Sequence, residues 1–156
     1  MSGDGQNVKF AVDGMLGRLA RWLRLSGFDA VYIISRRPSE ILGLARQEGR
    51  FILTRSTYLK DHEPERVFLI NSDRVKEQMR EVIRHFHLQI EESAFFTRCS
   101  LCNQPLQKIS KSEVADKVPI FVYQTQEEFY RCPACQRIYW SGSHRQRMLQ
   151  FLRSLC

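Results

Sequence analysis

Two sets of residues in this chain have the types and spacing for chemistry. The first is Cys99-x-x-Cys102 and Cys132-x-x-Cys135, two pairs with 29 residues between them. A Cys-x-x-Cys turn aims two thiolates at one ion, and two such turns complete a tetrahedral four-sulfur site, the usual composition of structural zinc. The gap exceeds the commonest spacing, and a hairpin can fill it. Iron is the chief competitor for four thiolates; two disulfides or a thioredoxin-like redox pair are weaker readings. Four thiolates leave zinc no open position, so the expected role is structural. Cys156 is spare, and no role is assigned to it.

The second set is acidic. Asp13, Glu40 and Asp73 follow apolar runs or open helices. Carboxylates converging at the carboxyl edge of a parallel sheet can hold Mg²⁺ or Mn²⁺, since hard divalent ions take oxygen ligands. A metal-bound water can attack a phosphodiester while the metal neutralises charge on the phosphate oxygens. Arg18, Arg21 and Arg24 flank the helix after Asp13, and Arg55 stands near the same edge. Arg18, Arg21 and Arg55 are the candidates for phosphate contacts. Each of these residues has a plainer use. Asp13, Glu40 and Asp73 sit where carboxylates cap helices or complement the helix dipole. Arginines on a helix flank also cover apolar surface with their stems. Trp140, beside the second cysteine pair, fits ribbon packing better than base stacking, and a structural hydrogen bond is favoured for His144.

The elements that must position these groups alternate. Lys9–Val12 reads as a buried strand, with Asp13 at its end and Gly14 behind it. Met15, Leu16, Leu19, Trp22 and Leu23 recur at helical spacing up to Gly27. Strands are expected at 30–34, 51–53 and 67–70, and helices at 40–48, capped by Ser39, and from Ser72 or Asp73 to Phe86. The stretch 59–66 reads as irregular. Alternation of this kind implies a mostly parallel sheet. Composition changes near Phe95; beyond it, 118–123 and 128–131 read as strands, and Ser143 as the cap of a last helix carrying Met148, Leu149 and Leu152. The expected organisation is an α/β domain over 8–95 and a cysteine-bearing module with a C-terminal helix over 96–156.

The chain has 156 residues and a formal charge of +7, from 24 basic against 17 acidic residues. That surplus suits a polyanionic partner such as nucleic acid; the plainer reading is solubility alone, which charge by itself does not exclude. There is no run long enough to span a membrane and no apolar signal segment at the start. The expectation is a reducing cytoplasm, where paired cysteines favour metal over disulfides.

The runs FAVDGMLGRLARWLRLSGFD and EGRFILTR, with RCSLC and RCPACQRIYWSGSHRQRM, resemble the Mut7-C ribonuclease-type domain. The resemblance covers nearly all of the chain after about Lys9. That family is similar to PIN-domain nucleases with a zinc ribbon appended. The resemblance implies a PIN-like three-layer α/β/α fold and cleavage of RNA dependent on acids and on Mg²⁺ or Mn²⁺. Asp13 matches the family's first acid and Glu40 the acid opening the second helix. The position of the third acid, after the L-T-R run, is Ser56 here. A hydroxyl brings no negative charge and binds Mg²⁺ less well; Asp61 or Asp73 would have to supply the missing carboxylate.

Three functions follow as expectations. The first is a metal-dependent endoribonuclease using Asp13 and Glu40, with Asp73, Asp61 or Ser56 assisting. The alternative, motivated by Ser56 and the basic charge, is an RNA- or ribosome-binding module that kept a nuclease fold and lost its chemistry. A protein-partner adaptor using the zinc ribbon as its contact surface is a third, weaker reading.

Overall fold

The computed structural model describes residues 7–155. Cys156 and the side chains of Ser143 and His144 lie outside the described residues, and with them the expectations placed on those groups.

Four strands form a parallel sheet: β1 (Lys9–Asp13), β2 (Asp29–Ile33), β3 (Phe51–Thr54) and β4 (Val67–Leu69), in the order β2-β1-β3-β4. Successive side chains of a strand point to opposite faces, and the sequence uses both faces. Phe10, Val12, Ala30 and Leu53 join one buried cluster; Ala11, Ile52 and Val67 join the other. Helix α1 (Gly17–Leu25) lays Leu19, Ala20 and Leu23 on the first face, beside Met79 and Val82 of α4 (Val75–Phe86). On the opposite face, α2 (Pro38–Glu48) contributes Ile41, Leu42 and Ala45, and α3 (Thr57–His62) contributes Leu59. Helices therefore cover both sides of the sheet, as parallel strands joined by crossovers require. Among the described residues, no helix is long and apolar enough to cross a membrane.

The order places β2 and β3 on opposite sides of β1, so the direction of winding reverses at β1. In open α/β sheets the crevice outside the carboxyl ends of the strands at such a reversal is where ligands bind.

Several local expectations change. Pro38, with its preset φ, begins α2 in place of a Ser39 cap; Gly49 ends it at φ 67°, a left-handed conformation that suits glycine. The stretch read as irregular begins inside α3, which runs to His62. Met15 lies in a short 3₁₀ turn, Gly14–Leu16, and is 67% exposed, so it does not share the buried face of Leu16 and Leu19. The run 118–123, strand-like by composition, is instead entered by α5 (Ile120–Thr125). Pro119 precedes it at φ −58° and lacks the N–H a ladder would need. The neighbouring three-stranded sheet is complete without it: β5 (Gln107–Ile109), β6 (Phe129–Arg131) and β7 (Ile138–Tyr139) pair antiparallel in the order β5-β6-β7.

The C-terminal residues dock on the α/β core. In α6 (Ser143–Arg153), Phe151 stacks on Trp22 with ring centroids 3.9 Å apart, and Leu152 is buried in the same cluster as Phe10. Arg24 is buried: its Nε donates to the Ala30 carbonyl at 2.7 Å, and its Nη1 donates to the carbonyls of Ser100 and Leu101 at 3.0 and 3.2 Å. Asn103 completes the seam. Its Oδ1 accepts from the Ala30 N–H at 2.9 Å and its Nδ2 donates to Asp29 at 2.7 Å. Strand β2 is an edge of the sheet, so Asn103 supplies a partner for a backbone group that no strand reaches.

Candidate functional site

Asp13 is the last residue of β1. Its Oδ1 accepts from the Gly14 N–H at 2.7 Å, the first N–H of the short 3₁₀ turn that precedes α1. Its Oδ2 accepts from the Thr54 hydroxyl at 2.7 Å, and Thr54 Oγ1 in turn accepts from the Ser56 N–H at 3.0 Å. Thr54 is fully buried at the carboxyl end of β3. The carboxyl ends of β1 and β3, which flank the reversal, are thus tied together through one hydroxyl. Tyr32 closes the arrangement from β2 by donating to the Gly14 carbonyl at 2.5 Å.

Asp13 and Ser56 line one small cleft of about 100 Å³ with Ser35, Arg36, Arg37 and Leu59. Ser35 donates to Glu40 Oε2 at 2.5 Å and accepts from the Arg37 N–H at 3.0 Å, so Glu40 is joined to the cleft through Ser35. Asp61 is exposed on α3, and Asp73 is exposed before α4; neither lines the cleft. Among the described residues, the cysteines are the one set of three or more His, Cys, Asp or Glu side chains whose ligand atoms converge. The acidic side thus holds Asp13 and the Ser35–Glu40 pair, with no converged carboxylate trio.

Of the arginines, Arg18 and Arg21 are exposed on α1, and Arg55 is exposed with its Nη1 on the Asn71 carbonyl at 3.1 Å. The sequence reading did not single out Thr54, Ser35, Arg36 or Arg37 for the site. Their signal was position alone: all four stand at or just past the carboxyl end of β2 or β3.

The cysteines form two copies of one turn. Asn103 N–H donates to the Cys99 carbonyl at 2.9 Å, and Gln136 N–H donates to the Cys132 carbonyl at 2.9 Å. Asn103 and Gln136 both have left-handed φ, 68° and 64°. The N–H of Cys99 donates to Gln104 and that of Cys132 to Arg137, at 2.8 and 3.0 Å. The two turns bring the four sulfurs within 4.8 Å of one another. Such a set is able to bind zinc. Burial and the neighbouring Cys135 thiol push Cys102 up to about 12, whereas the Arg137 N–H draws Cys135 down to about 7. Four thiols this close do not ionise together without a cation among them. Tyr139 lies 2.9 Å from Cys99 Sγ, placed to donate a hydrogen bond to a thiolate there.

Fold and site together define an α/β protein with a carboxylate-bearing cleft at the winding reversal of its sheet and a docked four-cysteine module. The chain belongs to the Mut7-C RNAse domain family, whose model matches residues 8–152. It is 34% identical over 100 residues to a human protein named exonuclease mut-7 homolog, a match covering 58% of this chain and 11% of that relative.

Proposed function

We propose that the chain is a nuclease that cleaves RNA phosphodiesters at the Asp13 cleft, as an endoribonuclease dependent on Mg²⁺ or Mn²⁺. The carrying observation is the placement of Asp13 and Ser56 in one cleft with Arg36 and Arg37, at the point where the sheet reverses direction. The family supports a nuclease; the human relative is named an exonuclease, which favours nuclease chemistry but not the endonucleolytic mode. Mg²⁺ is commonly held by one or two carboxylates together with substrate phosphates and waters. Asp13 supplies the one carboxylate that lines the cleft, with the Ser56 hydroxyl alongside, and the exposed Glu40 stands at its margin, bonded to Ser35. When bound, such an ion activates water and offsets charge on the phosphate oxygens. Thr54 fixes the orientation of the Asp13 carboxylate. Arg36 and Arg37, with Arg18 and Arg55, hold the phosphates on either side of the scissile bond. The four cysteines hold a structural zinc that keeps the C-terminal module seated on β2.

Ser56 motivates a second reading, an RNA- or ribosome-binding module without chemistry. The two separate on a circular RNA, which has no ends for an exonuclease. Cleavage by the native chain with Mn²⁺ supports the endonuclease. Cleavage seen only in Ser56→Asp makes the native chain a binder, and trimming confined to linear RNA makes the activity exonucleolytic.

A further inference from the structure

A larger concavity lies away from the Asp13 cleft, between α1, the first cysteine turn, the hairpin of β6 and β7, and α6. It encloses about 450 Å³. Four arginines line it, Arg21, Arg98, Arg137 and Arg145, and none of its lining residues is acidic. Two of the four have structural work. Arg98 donates to the carbonyls of Gly27 and Asn103, and Arg145 donates to Ser141 and lies 4.7 Å over the Phe96 ring. Arg21 and Arg137 are exposed, with no ion-pair partner among the described residues. The walls are apolar and aromatic, with half-buried Tyr130 and Trp140 and an exposed Leu101.

We infer that this groove binds an unpaired stretch of nucleic acid, with bases against the aromatic wall and phosphates on Arg21 and Arg137. Cations without neighbouring carboxylates match a polyanion. An aromatic wall takes the face of a base only when that base is free of a duplex stack. Helix α1 begins four residues past Asp13 and carries Arg18 and then Arg21, so one helix runs from the cleft's edge to the groove's rim. The binding claim stands by itself. That the groove presents substrate to the cleft rests on the nuclease reading.

The test is fluorescence anisotropy of the full chain with labelled oligouridylate of about 12 nucleotides, the same strand in a duplex, and oligothymidylate. The single strand should bind about tenfold or more tighter than the duplex, and the double variant Arg21→Glu/Arg137→Glu should lose about tenfold or more at unchanged Tm. The slope of log affinity against log salt should fall by about 1.4 in Arg21→Ala/Arg137→Ala. Trp140 emission, read in a Trp22→Phe background, should change on saturation. Tighter binding of the uridylate than of the thymidylate assigns the groove to RNA; equal binding leaves it a general single-strand site. Equal affinity for single strand and duplex overturns the inference. So does wild-type binding by the Glu double variant, or a Trp140 signal that never moves. The two sites separate: binding without any cleavage by the native chain removes the nuclease and leaves the groove, and Asp13-dependent cleavage with unaltered binding in the Glu double variant does the reverse.

Discussion

The Thr54 hydroxyl donates to the Asp13 carboxylate at 2.7 Å, joining the ends of two neighbouring parallel strands. Because Thr54 also receives the Ser56 N–H, one buried hydroxyl sets both the direction of the acid and the path of the chain behind it.

Replacing Thr54 by valine keeps shape and removes the hydroxyl. One Asp13 oxygen loses its donor and the Ser56 N–H loses its acceptor. Stability should fall by about 1–2 kcal/mol, and RNA cleavage should slow about tenfold at saturating metal through misorientation of Asp13. Thr54→Ser restores the hydroxyl and should recover most of the rate. A single-turnover assay beside thermal unfolding reads both effects.

Arg24→Ala should be among the most destabilising changes to any arginine in the chain. It orphans the carbonyl acceptors at Ala30, Ser100 and Leu101 and loosens the seam between β2 and the first cysteine turn. A loss of about 3 kcal/mol is expected, or a Tm drop of roughly 6–12 °C. Arg18→Ala, on the exposed part of the same helix, should change Tm by no more than about 2 °C.

Asp29 gives a pH signature. Burial opposes its charge, but hydrogen bonds from Arg50 and Asn103 outweigh that and hold its carboxyl below the ordinary range. A carboxyl with a lowered folded-state pKa stabilises above its unfolded value and loses that contribution as pH falls through the folded one. The stability advantage of the native chain over Asp29→Asn should therefore be level near neutrality and shrink below about pH 4. Denaturant titrations across that range measure it.

Metal content tests the cysteine module. Elemental analysis should find about one zinc per chain, and a chelator should release it. Cys99, Cys102, Cys132 and Cys135 should then become reactive toward a thiol reagent, and Tm should fall. Cys132→Ala should reproduce that loss without chelator, and iron in place of zinc would show in the visible spectrum.

What the sequence made legible was local. Each cysteine pair announces its turn by spacing alone, and the acid after a short apolar run locates Asp13 at a strand end. Contacts between distant residues were not legible. Thr54 reads as an ordinary strand residue until its partner, 41 positions earlier, is brought beside it. Arg24 shares the flank spacing of Arg18 and Arg21, and only the docking of the first cysteine turn buries it. The run around Ile120 has strand composition, but no free strand edge receives it and Pro119 turns it into a helix that leaves Ile120 and Phe121 77% and 73% exposed.

On this reading of the cleft, the Asp13 carboxylate carries the chemistry. Its most direct measurement is the single-turnover rate of RNA cleavage at saturating Mn²⁺ by the native chain and by Asp13→Asn, with Tm recorded for both. A rate at least about a hundredfold lower is expected for Asp13→Asn, with Tm within a few degrees of the native chain. Equal rates in the two proteins would contradict it.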